Sequence, residues 1–221
     1  MTIQWPRKLL PPQAPMFHLR GMNISGPIAD GASDVISGDA PFWVATYGSI
    51  VTTTRDRVMT FNAIASMLEG RLYPILVPYC RMYQPVDDDA TYEPVPHSDG
   101  TFFSDGSGYV GSGTEIIITG DRPERAVNGS VTIAYGDTLQ PGQVFSFGER
   151  MYRTNSVIYT SESTADIKWQ PPLREPVAAG DELEFTDPKC RMRLASDDEM
   201  MLSLDMNRRG FPTVNFVEDL V

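Results

Sequence analysis

Between Phe42 and Tyr83 the chain changes hydrophobic period twice, and the run in the middle carries the one clear helical spacing in the sequence. Phe42 to Val51 alternates aromatic and β-branched residues with polar ones, the pattern of a strand with one buried face. Thr53 is placed to cap the helix after it, with Asp56 three residues on suiting the positive end of its dipole. Val58, Phe61, Ile64, Ala65 and Leu68 then share a face, while Arg57, Thr60, Asn62 and Glu69 point away. Gly70 suits the left-handed position that ends a helix. The return, Leu72 to Tyr79, contains Pro74 and Pro78, which predicts an edge or irregular strand. A single amphipathic helix must therefore lie across a sheet that covers its apolar stripe.

The rest of the chain agrees with a sheet-based protein. Eighteen Gly and 18 Pro in 221 residues force frequent chain reversals and favour short strands over long helices. Eighteen basic residues against 29 acidic ones give a net charge of −11, which argues against the basic footprint of nucleic-acid binders. No apolar run approaches the roughly 20 residues of a membrane helix, and the start MTIQWPRKLL lacks the apolar core of a secretion signal. The expectation is a chain made and folded in a cytosol, without membrane insertion. Cys80 and Cys190 read as buried, reduced thiols, the alternative being a disulfide that closes a long loop. With His18 and His97 as its only histidines, the chain lacks the usual ligand set for zinc. No metal, cofactor or catalytic residue is expected.

Residues 1–40 read as an irregular, proline-braced arm that is mobile or wraps a neighbour, with a short strand over Phe17–Arg20 and His18 as a core or interface residue. Asp87–Asp89 reads as a solvated acidic turn, a calcium site being the sharper alternative. Gly106-Ser107-Gly108-Tyr109-Val110-Gly111 matches a dinucleotide fingerprint in letters only. That fingerprint needs a helix to begin there, whereas the next segment, Thr114–Thr119, is β-branched strand sequence. Strands are expected at Ser130–Tyr135, Ile167–Trp169 and Leu183–Phe185, with a hairpin from Val144 through Gly148-Glu149 to Tyr159. Pro78-Tyr79-Cys80-Arg81-Met82 and Pro188-Lys189-Cys190-Arg191-Met192 share a pattern that fits an internal duplication, two strands paired about a pseudo-twofold, or coincidence. Met200, Leu202, Leu204 and Met206 alternate as in a half-buried strand. The fold class expected is mainly β: a β-sandwich or barrel with one amphipathic helix packed on a sheet.

Two activities can be built from single residues. Trp43, Trp169 and Tyr109 are candidate stacking platforms for a carbohydrate-binding module, although each also fits a strand core. Asp99, Asp105 and Glu115 supply candidate carboxylates for a glycosidase, but a chain with 29 acidic residues offers many such candidates by chance.

FNAIASMLEGRLYPILVPY resembles the helix, Gly-Arg and extended segment of small tail-tip proteins of long-tailed phages. HSDGTFFSDGSGY, LQPGQVFSFGERMYRTNSV, WQPPLREPVAAGDELEFTDPKCRMRL and the terminal FVEDL together look like the distal tail proteins of siphophages and gene-transfer-agent-like particles. The likeness is one of overall pattern from Phe42 to the C-terminus, with no catalytic signature. It implies a virion (baseplate) protein without enzymatic activity that forms a homo-hexameric ring between the tail tube protein and the tip hub protein, with DNA only as passing cargo. It also implies a ring domain over residues 1–93 and a β-rich remainder over 94–221, holding an inserted barrel at about 97–165 before a return to the first domain. For a protein of that kind, the open edges of its sheets, and the Met1–Pro15 arm adding a strand in trans, are the expected docking devices.

Overall fold

A computed structural model describes residues 2–21, 23–27, 33–37, 40–79, 99–101, 103–104 and 114–220, with 23–27 and 33–37 described by their backbone alone. The protein is mainly β. Its strands are β1 (Ile3–Gln4), β2 (Pro12–Arg20), β3 (Asn23–Pro27), β4 (Ser33–Ser37), β5 (Phe42–Ile50), β6 (Ile75–Pro78), β7 (Glu115–Ile118), β8 (Asn128–Tyr135), β9 (Val144–Phe147), β10 (Arg150–Tyr159), β11 (Thr164–Gln170), β12 (Lys189–Leu194) and β13 (Val214–Glu218). Among the described residues there is one helix, α1 (Arg55–Leu68). Two compact units divide the chain: Met1–Cys80 with Glu149–Met151 and Lys189–Val221, and Arg81–Gly148 with Tyr152–Pro188.

The first unit is built on a six-stranded sheet in the order β1-β6-β12-β13-β5-β2. β5 alternates as its sequence requires, burying Trp43, Ala45, Tyr47 and Ile50. The helix buries Phe61, Ile64 and Leu68 on one stripe, each contributing about 1.5–3 kcal/mol relative to exposure. Trp5 joins helix to sheet. Its ring lies 6.4 Å from Phe61, 5.6 Å from Tyr47 on β5 and 5.7 Å from Phe216 on β13, all edge-on. Edge-on packing of this kind suits the aromatic quadrupole, and the indole Nε1 donates to the Leu10 carbonyl at 3.0 Å.

Several local expectations change. Thr54, one residue later than expected, caps the helix, because its backbone is extended and its hydroxyl accepts from Arg57 N at 3.4 Å. Gly70 is left-handed after the helix as expected, with φ +67°, and Glu69 before it at the C-cap is left-handed as well. β6 lies inside the sheet: β12 pairs with it on one side and β1 runs parallel to it on the other, with Trp5 N continuing that ladder to Leu76 O. The prolines do not prevent this, since Pro74 precedes the strand and Pro78 ends it. Over its described residues the N-terminal arm is not irregular: β1 runs along β6 and β2 along β5. β2 runs antiparallel to β5 from Pro12↔Ile50 to Arg20↔Phe42 and forms an edge of the sheet, where prolines are tolerated. His18 on that strand is exposed, so it is not a core residue. Met200–Met206 forms no strand; Met201 and Met206 are 74% and 102% exposed.

The second unit holds a five-stranded sheet in the order β7-β8-β11-β10-β9. Its core gathers Phe145, Phe147, Tyr152, Trp169 and Phe185 with Ile116, Ile118, Val131, Ile167 and Leu183. β9 and β10 are neighbours through the expected Gly148-Glu149 turn. Leu183–Phe185 forms no strand of its own; isolated bridges link Glu182, just before it, to Ile117 and Glu184, within it, to Ser146.

The boundary drawn from the sequence at 93/94 lies outside the described residues. The strands that carry the two segments of shared pattern, β6 and β12, pair antiparallel with Lys189 opposite Pro78 and Cys190 opposite Val77, while residues 80–82 of the first segment lie outside the described residues.

Candidate functional site

The two tryptophans that suggested a stacking platform are used for structure. Trp43 is 0% exposed and its indole Nε1 donates to the Met151 carbonyl at 2.7 Å. Trp169 is 1% exposed and donates to the Ala126 carbonyl at 3.2 Å. A stacking platform needs an open ring face, so neither tryptophan is one. Tyr109, Asp105, His97, Cys80, the Asp87–Asp89 run and the Gly106–Gly111 loop lie outside the described residues. Cys190 is buried on β12.

Asp99 is exposed, and its Oδ1 accepts from the Thr101 hydroxyl at 2.7 Å and from Thr101 N at 3.0 Å. These bonds, the hydroxyl's first, hold its carboxyl below the usual value, which favours an ionised turn residue over a proton donor. Glu115 belongs to a different setting. Burial, then the charges of Glu184 and Glu115, push Glu182 above the ordinary carboxylate value. Glu184 is itself tied down, its Oε1 accepting from Thr186 N at 2.6 Å and Asp187 N at 2.9 Å. Among the described residues no group of His, Cys, Asp and Glu is arranged to hold a metal, and no helix is long and apolar enough to cross a membrane.

What the sequence did not single out is a polar groove of about 350 Å³ on the sheet of the second unit. Strand register builds its floor. Asn128 (β8), Lys168 (β11) and Ser156 (β10) stand side by side in one row, and Ser130, Asp166 and Ile158 in the next. The row-to-row alternation is that of a strand face: Ile167 and Trp169, between and beyond these positions on β11, go to the core. A register shift between Thr154 and Ser156 resets β10 so that Ser156 and Ile158 come into line. Ser130 Oγ donates to Asp166 Oδ1 at 2.5 Å.

Arg122 also lines the groove. Its backbone is fixed by paired bonds with Val177, N to O at 2.8 Å and O from N at 2.9 Å. Gly129 admits the side chain, since a Cβ there would come within 3.1 Å of Arg122 Nε and 3.0 Å of Trp169. Nε is buried without an acceptor, and Nη1 donates to the Asp121 carbonyl at 3.2 Å. Carboxylates neutralise Arg191 and Arg193 in the first unit, but among the described residues neither Arg122 nor Lys168 has such a partner. The arrangement can hold an anion while offering hydroxyl, amide and carboxylate partners beside it. Sequence patterning missed it because each residue is an ordinary polar position on a strand face, and only the cross-strand register brings them together.

No family model matches the chain, and no curated protein matches it.

Proposed function

We propose that this chain is a structural protein of a phage tail tip, working by assembly into a ring of its own copies between tail tube and tip hub. The observation that carries the reading is the β3–β4 pair. These strands pair with each other from Asn23↔Ser37 to Pro27↔Ser33 and, among the described residues, join no other sheet. A lone two-stranded ribbon is marginally stable in water, so seating on a neighbouring copy supplies what the ribbon lacks. The first unit adds further docking features. β1 and β2 are sheet edges, and exposed Met201, Met206 and Phe211 ride on backbone that is itself braced. Asp205 Oδ1 accepts from Arg209 N at 2.7 Å, and Gly210 exchanges bonds with Thr52 at 3.1 Å.

Native mass spectrometry with negative-stain imaging tests the reading. The full chain is expected as closed rings, and replacement of residues 23–37 by a short turn is expected to give monomers whose first sheet remains folded. A full-length chain that stays monomeric from low to high salt overturns the proposal.

A further inference from the structure

We propose that the groove of the second unit is a binding site for a hydroxylated anion, a sugar acid being the simplest representative. Two cations, Arg122 and Lys168, line the groove, and Asp166 is the one carboxylate among its lining residues. Lys168 stands between Asn128 and Ser156, and Arg122 brings a guanidinium whose buried Nε has no acceptor. A carboxylate placed in the groove between the Lys168 ammonium and the Arg122 guanidinium gains charge-assisted hydrogen bonds.

The remainder of the lining sets the second half of the specificity. Asp166, oriented by the Ser130 hydroxyl, accepts from ligand hydroxyls, while Asn128 and Ser156 both donate and accept. Ile158, 62% exposed, gives an apolar edge for a sugar ring. A volume of about 350 Å³ takes one or two such rings. An inorganic anion would satisfy the cations but leave the Asp166 carboxylate facing another negative charge, which favours a ligand whose acid group and hydroxyls lie at opposite ends. The site lies wholly within the second unit, so it is independent of the assembly proposed for the first.

The test uses the full chain, titrated with galacturonate, galactose and inorganic phosphate while amide and Arg Nε–H resonances are followed. Galacturonate is expected to shift Asn128, Ser130, Ser156, Lys168 and the Arg122 Nε–H signal, with galactose and phosphate each at least about tenfold weaker. Arg122→Met and Lys168→Met should each weaken galacturonate binding about tenfold, the size of one lost charged hydrogen bond. Their spectra should otherwise retain the dispersion of the folded chain. Equal response to galactose, equal response to phosphate, shifts that survive in both variants, or no saturable shift at all would each overturn the proposal.

Discussion

Asp219 shows how much one side chain near the C-terminus holds. Its carboxylate is 2% exposed and accepts from Arg191 Nε at 3.0 Å and Arg193 Nε at 2.9 Å. Its backbone carbonyl accepts from Arg150 Nη1, and its N–H donates to Arg191 O at 3.0 Å. Beside it, Glu218 Oε2 accepts from Trp43 N at 2.8 Å. Asp219→Ala removes the acceptor of both Arg191 Nε and Arg193 Nε and should cost about 2–3 kcal/mol by urea denaturation. Asp219→Asn should cost less, since it keeps one acceptor oxygen. Glu182 gives a prediction of opposite sign. Its carboxyl is raised in the folded protein, so its contribution favours folding below the ordinary value of 4.5 and is lost as pH rises through the folded value. Glu182→Gln removes that loss. The variant should melt higher than the parent at neutral pH, and the two should converge in scans below pH 4.5.

At the scale of elements, the helix stands or falls with Trp5. That ring covers Phe61 and reaches both Tyr47 and Phe216, so Trp5→Ala opens a cavity under the apolar stripe. A loss of about 3–5 kcal/mol is expected, read as a lower denaturation midpoint with reduced helical circular dichroism. The helix was legible in sequence because its stripe, Phe61, Ile64 and Leu68, comes from local spacing alone. Strands β5, β7, β8 and β10 were legible for the same reason: alternation and β-branched content are local signals. Proline misled the reading twice. At Pro12 and Pro15 it marks a sheet edge rather than an unpaired arm, and at Pro74 and Pro78 it bounds a strand that other strands cover on both sides. Alternating Met and Leu over Met200–Met206 misled it once, because period alone does not supply a partner strand. The groove was illegible throughout, since Arg122, Ser130, Ser156 and Lys168 come from four separate stretches and meet only through register.

At the scale of the molecule, charge and assembly are linked. The chain carries a net charge of −11, so the proposed ring would bring like-charged surfaces together and its formation should strengthen as salt rises toward physiological ionic strength. Sedimentation velocity over a salt series measures this directly. How the molecule comes apart depends on where its chain leaves the first sheet. It departs after Pro78 and resumes at Lys189 directly opposite, a geometry that a tight turn could close, as though the intervening stretch were dispensable. Yet Glu149, Arg150 and Met151, drawn from that stretch, belong to the first unit: Arg191 N donates to the Glu149 carbonyl, and the Met151 carbonyl holds the Trp43 indole. Strand β10 is thus common property, its first residues committed to one unit and the rest to the other. A shortcut across Pro78 and Lys189 would therefore strip the first unit of a stitch that no local repair replaces.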